Sequence, residues 1–244
     1  MLIHAATLVL GPVLIAQARR LRATALELPE AEGPRAGVEG EGGAALRLLV
    51  VGDSSAAGVG ARTQDEALAR PLARHVAHRL RRSVSWQLIA RSGLTSAQAL
   101  ELLRETPPAS ADFAVAMLGV NDVTHRVSIA RALRQRGELA QWLRRHAGVR
   151  QVVFCALPPM QKFPALPQPL AWYAGAQVAR VNRAQARWAL RQAGVIHAAM
   201  ADLARADLFA EDGFHPGPVL YGLIARRLAH RVAELAADGP PASN

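Results

Sequence analysis

The feature that most constrains this chain is a regular alternation of two patterns. Short, almost wholly apolar runs of strand length recur at Leu46–Val51, Val84–Ala90, Phe113–Leu118, Gln151–Ala156 and Val195–Ala199. Between them lie longer segments with helical periodicity: Gln64–Arg82, Thr95 or Ser96 to Arg104, Ser128–His146, Trp172–Ala193 and Pro218–Ala237. A strand followed by a helix and then a second parallel strand is the crossover unit of a parallel sheet. Helices then cover both faces of that sheet, so its strands carry apolar residues throughout rather than at every second position. The expected fold is therefore of the α/β class, with five strand candidates in a parallel sheet covered by helices on both faces.

The flanks break this pattern. Residues 1–28 open with a dominantly apolar run, Met1–Ala18, followed by Arg19, Arg20 and Arg22. The run is short for a membrane span, which takes about 20 residues, and Gly11-Pro12 interrupts it. Arginines after an apolar run stay on the cytoplasmic side. A short anchor holding the protein at the cytoplasmic face of a membrane is therefore expected. A signal peptide with export to the periplasm or beyond, and a helix packed on the domain itself, are the two alternatives. Residues 29–44, rich in Gly, Glu and Pro, read as a linker. Residues 45–237 form the one folded domain, and 238–244 a loose tail.

Composition excludes more than it assigns. With 51% hydrophobic residues the chain can bury a core, which excludes wholesale disorder. The net charge is +10, but Lys162 is the only lysine and the arginines are spread along the helices. No basic block or aromatic-rich binding motif accompanies them, so no nucleic-acid partner is expected. The single cysteine, Cys155, lies in an apolar run and reads as a buried thiol. The histidines show no metal-ligand spacing, so neither a metal nor an organic cofactor is expected. A monomer is expected.

The chemistry-bearing residues sit just past the ends of the apolar runs. Gly52-Asp53-Ser54-Ser55 follows the first, Arg91-Ser92-Gly93 the second, and Gly119-Val120-Asn121-Asp122 the third; Asp212-Gly213-Phe214-His215-Pro216 precedes the last helix. Each is an ordinary turn when taken alone. In a doubly wound sheet, however, the carboxyl ends of the strands share one edge, and in the order 2-1-3-4-5 the first and third strands flank the point where the order reverses. Ser54 and Asn121 would emerge there side by side, next to Gly93. His215 is then a base for Ser54, and Asp212, three residues away, orients its ring. The Ser54 and Gly93 amides and the Asn121 side chain form an oxyanion hole. Asp53 and Asp122 hold the adjoining loops. The proline-rich stretch Leu157–Trp172 offers Met160, Phe163 and Trp172 as walls of an acyl groove.

Together these four blocks, GDSS, the glycine of RSG, GVND and DGFHP, resemble the signature blocks of the SGNH/GDSL hydrolase family, in the family's order, over Leu46 to about Tyr221. Ser55 stands where many members carry Leu. The resemblance implies a flavodoxin-like, three-layer α/β/α sandwich with a five-stranded parallel sheet in the order 2-1-3-4-5, and cleavage of a small-molecule ester or lipid through an acyl-enzyme. It implies Ser54, Gly93, Asn121 and His215 as the family's four namesake residues, with Asp212 completing a triad. Carbohydrate deacetylation and acyl transfer would use the same triad. A non-catalytic binding module is the reading of a different class, and the intact residue set argues against it.

Overall fold

The computed structural model describes residues 2–43, 45–200 and 202–237, with side chains from residue 10 onward. The expected tail at 238–244 lies outside the described residues. In chain order the elements are α1 (Leu2–Thr24), β1 (Ala36–Glu39), β2 (Leu46–Gly52), α2 (Ser54–Ala57), α3 (Ala69–Leu80), β3 (Val84–Ala90), α4 (Ser96–Glu105), β4 (Phe113–Met117), α5 (Val120–Thr124), α6 (Ile129–Ala147), β5 (Gln151–Cys155), α7 (Leu170–Ala189), β6 (Val195–Ala198) and α8 (Pro218–Ala237). Two single 3₁₀ turns, Met160–Lys162 and Ala206–Leu208, sit in the loops beyond β5 and β6.

The sheet runs β1-β3-β2-β4-β5-β6. β2 to β6 are parallel to their neighbours, so the five expected strands stand in the expected order. Alternate residues of β2 face opposite layers. Leu48 and Val50 meet the core shared with α3 and α8, while Leu49 and Val51 meet the core shared with α4, α6 and the end of α7. Both faces are dry, which is why β2 is apolar at nearly every position. Thr95 caps α4 in a full capping box with Gln98, fixing where the chain turns after β3.

Two expectations for the flanks are corrected. Residues 29–44 are not a free linker, and the sheet has six strands. β1 pairs antiparallel with β3 at the sheet edge, Ala31 is buried, and Glu32 bridges to Thr63. The reason β1 reads as linker is its edge position, where Val38 is exposed and no apolar alternation is needed. Gly37 packs under Trp86, whose indole nitrogen would lie 3.1 Å from an added Cβ. Charges finish the docking: Glu39 pairs with Arg70 and Arg74 on α3.

The described part of α1 packs on the domain. Leu14 is buried, and Leu21 joins the apolar cluster of α7. The Gln17 amide donates to the Gln168 carbonyl at 2.7 Å and accepts from the Leu170 amide at 3.1 Å. Among the described residues, no helix is long and apolar enough to cross a membrane.

Candidate active site

Ser54 opens α2 directly beyond β2. The chain turns so tightly that a Cβ on Gly52 would lie 2.4 Å from the Met117 carbonyl oxygen, so only glycine fits. Asp53 is extended and caps α2, accepting from the Ser55 amide at 3.1 Å. Ser54 is therefore presented half-buried at the first turn of a helix, at the carboxyl edge of the sheet.

A short hairpin-like loop brings His215 to it. Phe209 and Pro216 bridge antiparallel, and the Ala210 amide donates to the His215 carbonyl at 2.8 Å. Gly213 turns the tip with φ of 62°. One Asp212 oxygen accepts from the Phe214 and His215 amides at 2.9 and 3.0 Å. The other lies 2.5 Å from His215 Nδ1, and His215 Nε2 lies 2.8 Å from Ser54 Oγ. An ionised carboxylate only accepts, so Nδ1 carries the proton and Nε2 is left to accept from the serine hydroxyl. Burial pushes the Asp212 carboxyl up, but the His215 side chain and the two amides outweigh it and hold it below the usual carboxylate range. The segment just beyond α2 is tied to α8, where buried Tyr221 donates to the Val59 carbonyl at 2.7 Å.

Asn121 lies on α5, just beyond β4. Its side-chain amide donates to the Leu94 carbonyl at 3.1 Å and to Asp53 at 3.4 Å. The Leu94 contact links it to the loop that carries Gly93. Gly93 has φ of 83°, a left-handed backbone that favours glycine, and open space where a Cβ would stand. Asp53 is fully buried, and burial raises its carboxyl to about 7 despite the Ser55 amide and the positive charges nearby.

A buried polar network stands behind Asn121. Asp122 accepts from the Ser96 amide at 2.9 Å, the Ser96 hydroxyl at 2.6 Å and Arg136 at 3.1 Å. Arg136, fully buried on α6, also donates to Ser96 at 3.2 Å and to Gln185 on α7. Gln185 in turn donates to the Cys155 carbonyl at 3.1 Å. The network ties α4, α5, α6, α7 and the end of β5 into one block. It also explains Gly119, whose φ is 126° and whose missing Cβ leaves the space that the Arg136 guanidinium fills.

Residues 50–223 match the GDSL-like Lipase/Acylhydrolase family. The chain belongs to this family, whose members are carboxylic ester hydrolases. A GDSL-like esterase from Mycobacterium tuberculosis is 29% identical over 191 residues, covering 74% of this chain and 59% of that protein. The chain thus spans less than two thirds of that relative. Among solved structures, a carbohydrate esterase family 3 protein from Talaromyces cellulolyticus superposes with a TM-score of 0.61 at 18% identity, covering 80% of this chain and 100% of that one. An extracellular lipase from Streptomyces rimosus gives 0.57 at 16%, covering 77% and 99%. Est24, a carbohydrate acetylesterase from Sinorhizobium meliloti, gives 0.56 at 18%, covering 78% and 99%. At these identities the structural likeness concerns the fold.

On this GDSL-like frame a cavity of about 70 Å³ opens beside Ser54, with Asp53 and Asn121 also in its lining. Gly93 stands on the neighbouring loop, outside that lining. Of the three residues expected to wall a groove, only Phe163 reaches the cavity. Met160 turns inward instead, into the apolar cluster under α7. Trp172 projects from the first turn of α7 and is 45% exposed. Sequence reasoning missed the network of Ser96, Arg136 and Gln185, because an isolated arginine on a helix reads as a wet-face residue. It also missed Glu30, which accepts from the Ser92 amide at 2.7 Å and the Ser92 hydroxyl at 2.9 Å and so braces the Gly93 loop. Glu30 carried no signal beyond sitting in a stretch that reads as linker.

Proposed function

We propose that this chain hydrolyses carboxylic esters through an acyl-enzyme, with Ser54 as nucleophile, His215 as general base and Asp212 as the residue that orients it. The observation that carries the reading is the continuous relay Asp212–His215–Ser54, at 2.5 and 2.8 Å, opening into a cavity. Ser54 Oγ attacks the ester carbonyl carbon while its proton passes to His215 Nε2. Asp212 stabilises the imidazolium that forms. The carbonyl oxygen becomes an oxyanion, held by the Ser54 and Gly93 amides and the Asn121 side chain. The long 3.4 Å bond from Asn121 to Asp53 is the one that yields its hydrogen to the oxyanion. Collapse breaks the carbon–oxygen bond of the ester, and His215 protonates the departing alcohol. Water then repeats the sequence and frees the acid and Ser54. Each oxyanion donor contributes about 3–4 kcal/mol to the transition state.

Hydrolysis of 4-nitrophenyl butanoate by the purified chain, Ser54→Ala and Ser55→Ala tests this. The reading expects Ser54→Ala to lose about ten-thousandfold or more in kcat, with Ser55→Ala within about tenfold of the parent. Loss in Ser55→Ala alone would move the nucleophile by one residue.

A further inference from the structure

α3 and α8 pack against each other, and their apolar faces close the core on one side of the sheet. Their outer faces are cationic. Arg74, His75, His78 and Arg79 stand on α3, and Arg226, Arg227, His230 and Arg231 on α8. Between the two helices and the loop after β6 lies an open groove of about 350 Å³, lined by Arg79, Leu203, Leu223, Arg226, Arg227 and His230. Leu203 also lines the cavity beside Ser54, but none of Asp53, Ser54 and Asn121 reaches the groove.

Most of the nearby cations are already paired. Glu39 holds Arg74 at 3.3 Å, Asp202 holds Arg227 at 3.2 and 2.7 Å, and Glu234 holds His230 and Arg231 at 3.0 Å each. Arg79 and Arg226 are exposed and have no carboxylate partner among the described residues. Arg79 sits in the last turn of α3, where a cation suits the negative end of the helix dipole. That does not account for Arg226, which stands in the interior of α8. Both face half-buried His75. Burial, and then the charges of Arg226, Arg74, Arg79 and His78, hold its ring below the ordinary histidine value. Two guanidiniums from different helices thus share one groove without a counter-charge. An anion between them relieves their repulsion, and each guanidinium offers a planar fork of donors. A carboxylate brings a single charge. A terminal phosphate carries close to two, with several acceptor oxygens, and can serve both forks.

We propose that this groove is a second ligand site, separate from Ser54, and that it takes a phosphate-bearing group between Arg79 and Arg226. Half-exposed Leu203 and Leu223 lie beside the phosphate and contact the apolar part of the same ligand. The inference stands independently of the esterase reading.

The test is calorimetric titration of the full chain with pyrophosphate, on the parent, on Arg79→Gln, on Arg226→Gln, on both together, and on the control pair Arg131→Gln with Arg134→Gln. The control removes the same charge from exposed positions of α6, on the opposite face of the sheet. One site per chain is expected in the parent. Each single groove variant should weaken binding by about tenfold to a hundredfold, the worth of a hydrogen bond to a charged group, and the groove pair should abolish measurable binding. The control pair should stay within about threefold of the parent, because exposed charges beyond a Debye length are screened at physiological salt. NMR of His75 locates the anion: bound phosphate offsets the charges facing the ring, so its titration should move up. Sedimentation with vesicles of phosphatidylcholine and phosphatidic acid identifies the source. Vesicle capture that is lost in the groove pair places the phosphate on a lipid headgroup, and pyrophosphate binding without vesicle capture places it on a soluble ligand. Three results overturn the proposal: neither pyrophosphate nor vesicles bind, the control pair loses as much as the groove pair, or His75 does not move with pyrophosphate bound.

Discussion

On the His215 side of Ser54, the aligning contacts are local. Asp212 reaches His215 across three residues, and its second oxygen holds the two amides of the same turn. On the Asn121 side they are long-range and buried. Asp122 is fixed by Ser96 from a different crossover unit and by Arg136 from α6, and Arg136 is held in turn by Gln185 from α7. The base needs one ring orientation, which a tight turn supplies. The proposed oxyanion donors come from three segments, beyond β2, β3 and β4, and only a structure that joins those segments sets their spacing. The local side should fail by losing catalysis while the fold survives. The buried side should fail by losing stability as well.

The largest effect is expected on the local side. Asp212→Asn leaves a partner that no longer favours the required tautomer or the imidazolium, and kcat should fall about ten-thousandfold with the melting temperature little changed. A loss under about tenfold would make the site a Ser54–His215 dyad and Asp212 a loop residue. On the buried side, Arg136→Met strands Asp122 without its counter-charge. Chemical denaturation should then report a loss of about 3–5 kcal/mol, and an unchanged midpoint would mean that Asp122 is solvated. Asn121→Ala removes one donor while leaving that network in place. It should lower kcat about a hundredfold to a thousandfold with KM nearly constant; a change confined to KM would make Asn121 a substrate-binding residue.

The smallest effect concerns Asp53, which caps α2 next to Ser54 and accepts from Asn121. Its folded value, about 7, lies above its ordinary value of 3.8. The folded protein therefore holds this proton more tightly than the unfolded chain, and stability falls as pH rises from about 4 to about 7. Asp53→Asn removes that dependence and keeps an amide oxygen to cap α2. The variant should gain on the parent across this window, by about 1–2 kcal/mol after solvent relaxation, and the difference should stay flat above pH 8. Thermal melts of both proteins from pH 4 to pH 9 measure it. Asp212 has the opposite sign. Its depressed value gives stability at neutral pH that disappears as the carboxyl protonates in acid.

The same contrast explains what the sequence discloses. The five parallel strands are legible because both their faces are buried, leaving unbroken apolar runs. Ser54, Asn121 and His215 are legible because each sits just past a strand or just before a helix, in a turn whose neighbours are small or acidic. Arg136 is not legible, since nothing in its helical spacing separates it from the exposed arginines of α6. Residues 29–44 are misread for a related reason: an edge strand such as β1 needs no apolar alternation, and its docking comes from Glu39 reaching Arg70 and Arg74 and from Glu30 reaching Ser92. Phe163 is distinguished from Met160 and Trp172 only by the path of a proline-rich loop, which composition does not encode.

The proposed nucleophile is Ser54, activated by His215. Its most direct test is peptide mapping by mass spectrometry after reaction with a fluorophosphonate. One adduct per chain is expected, on Ser54, with labelling lost in His215→Ala. An adduct on Ser55, or labelling of Ser54 that persists at the parent rate in His215→Ala, would contradict it.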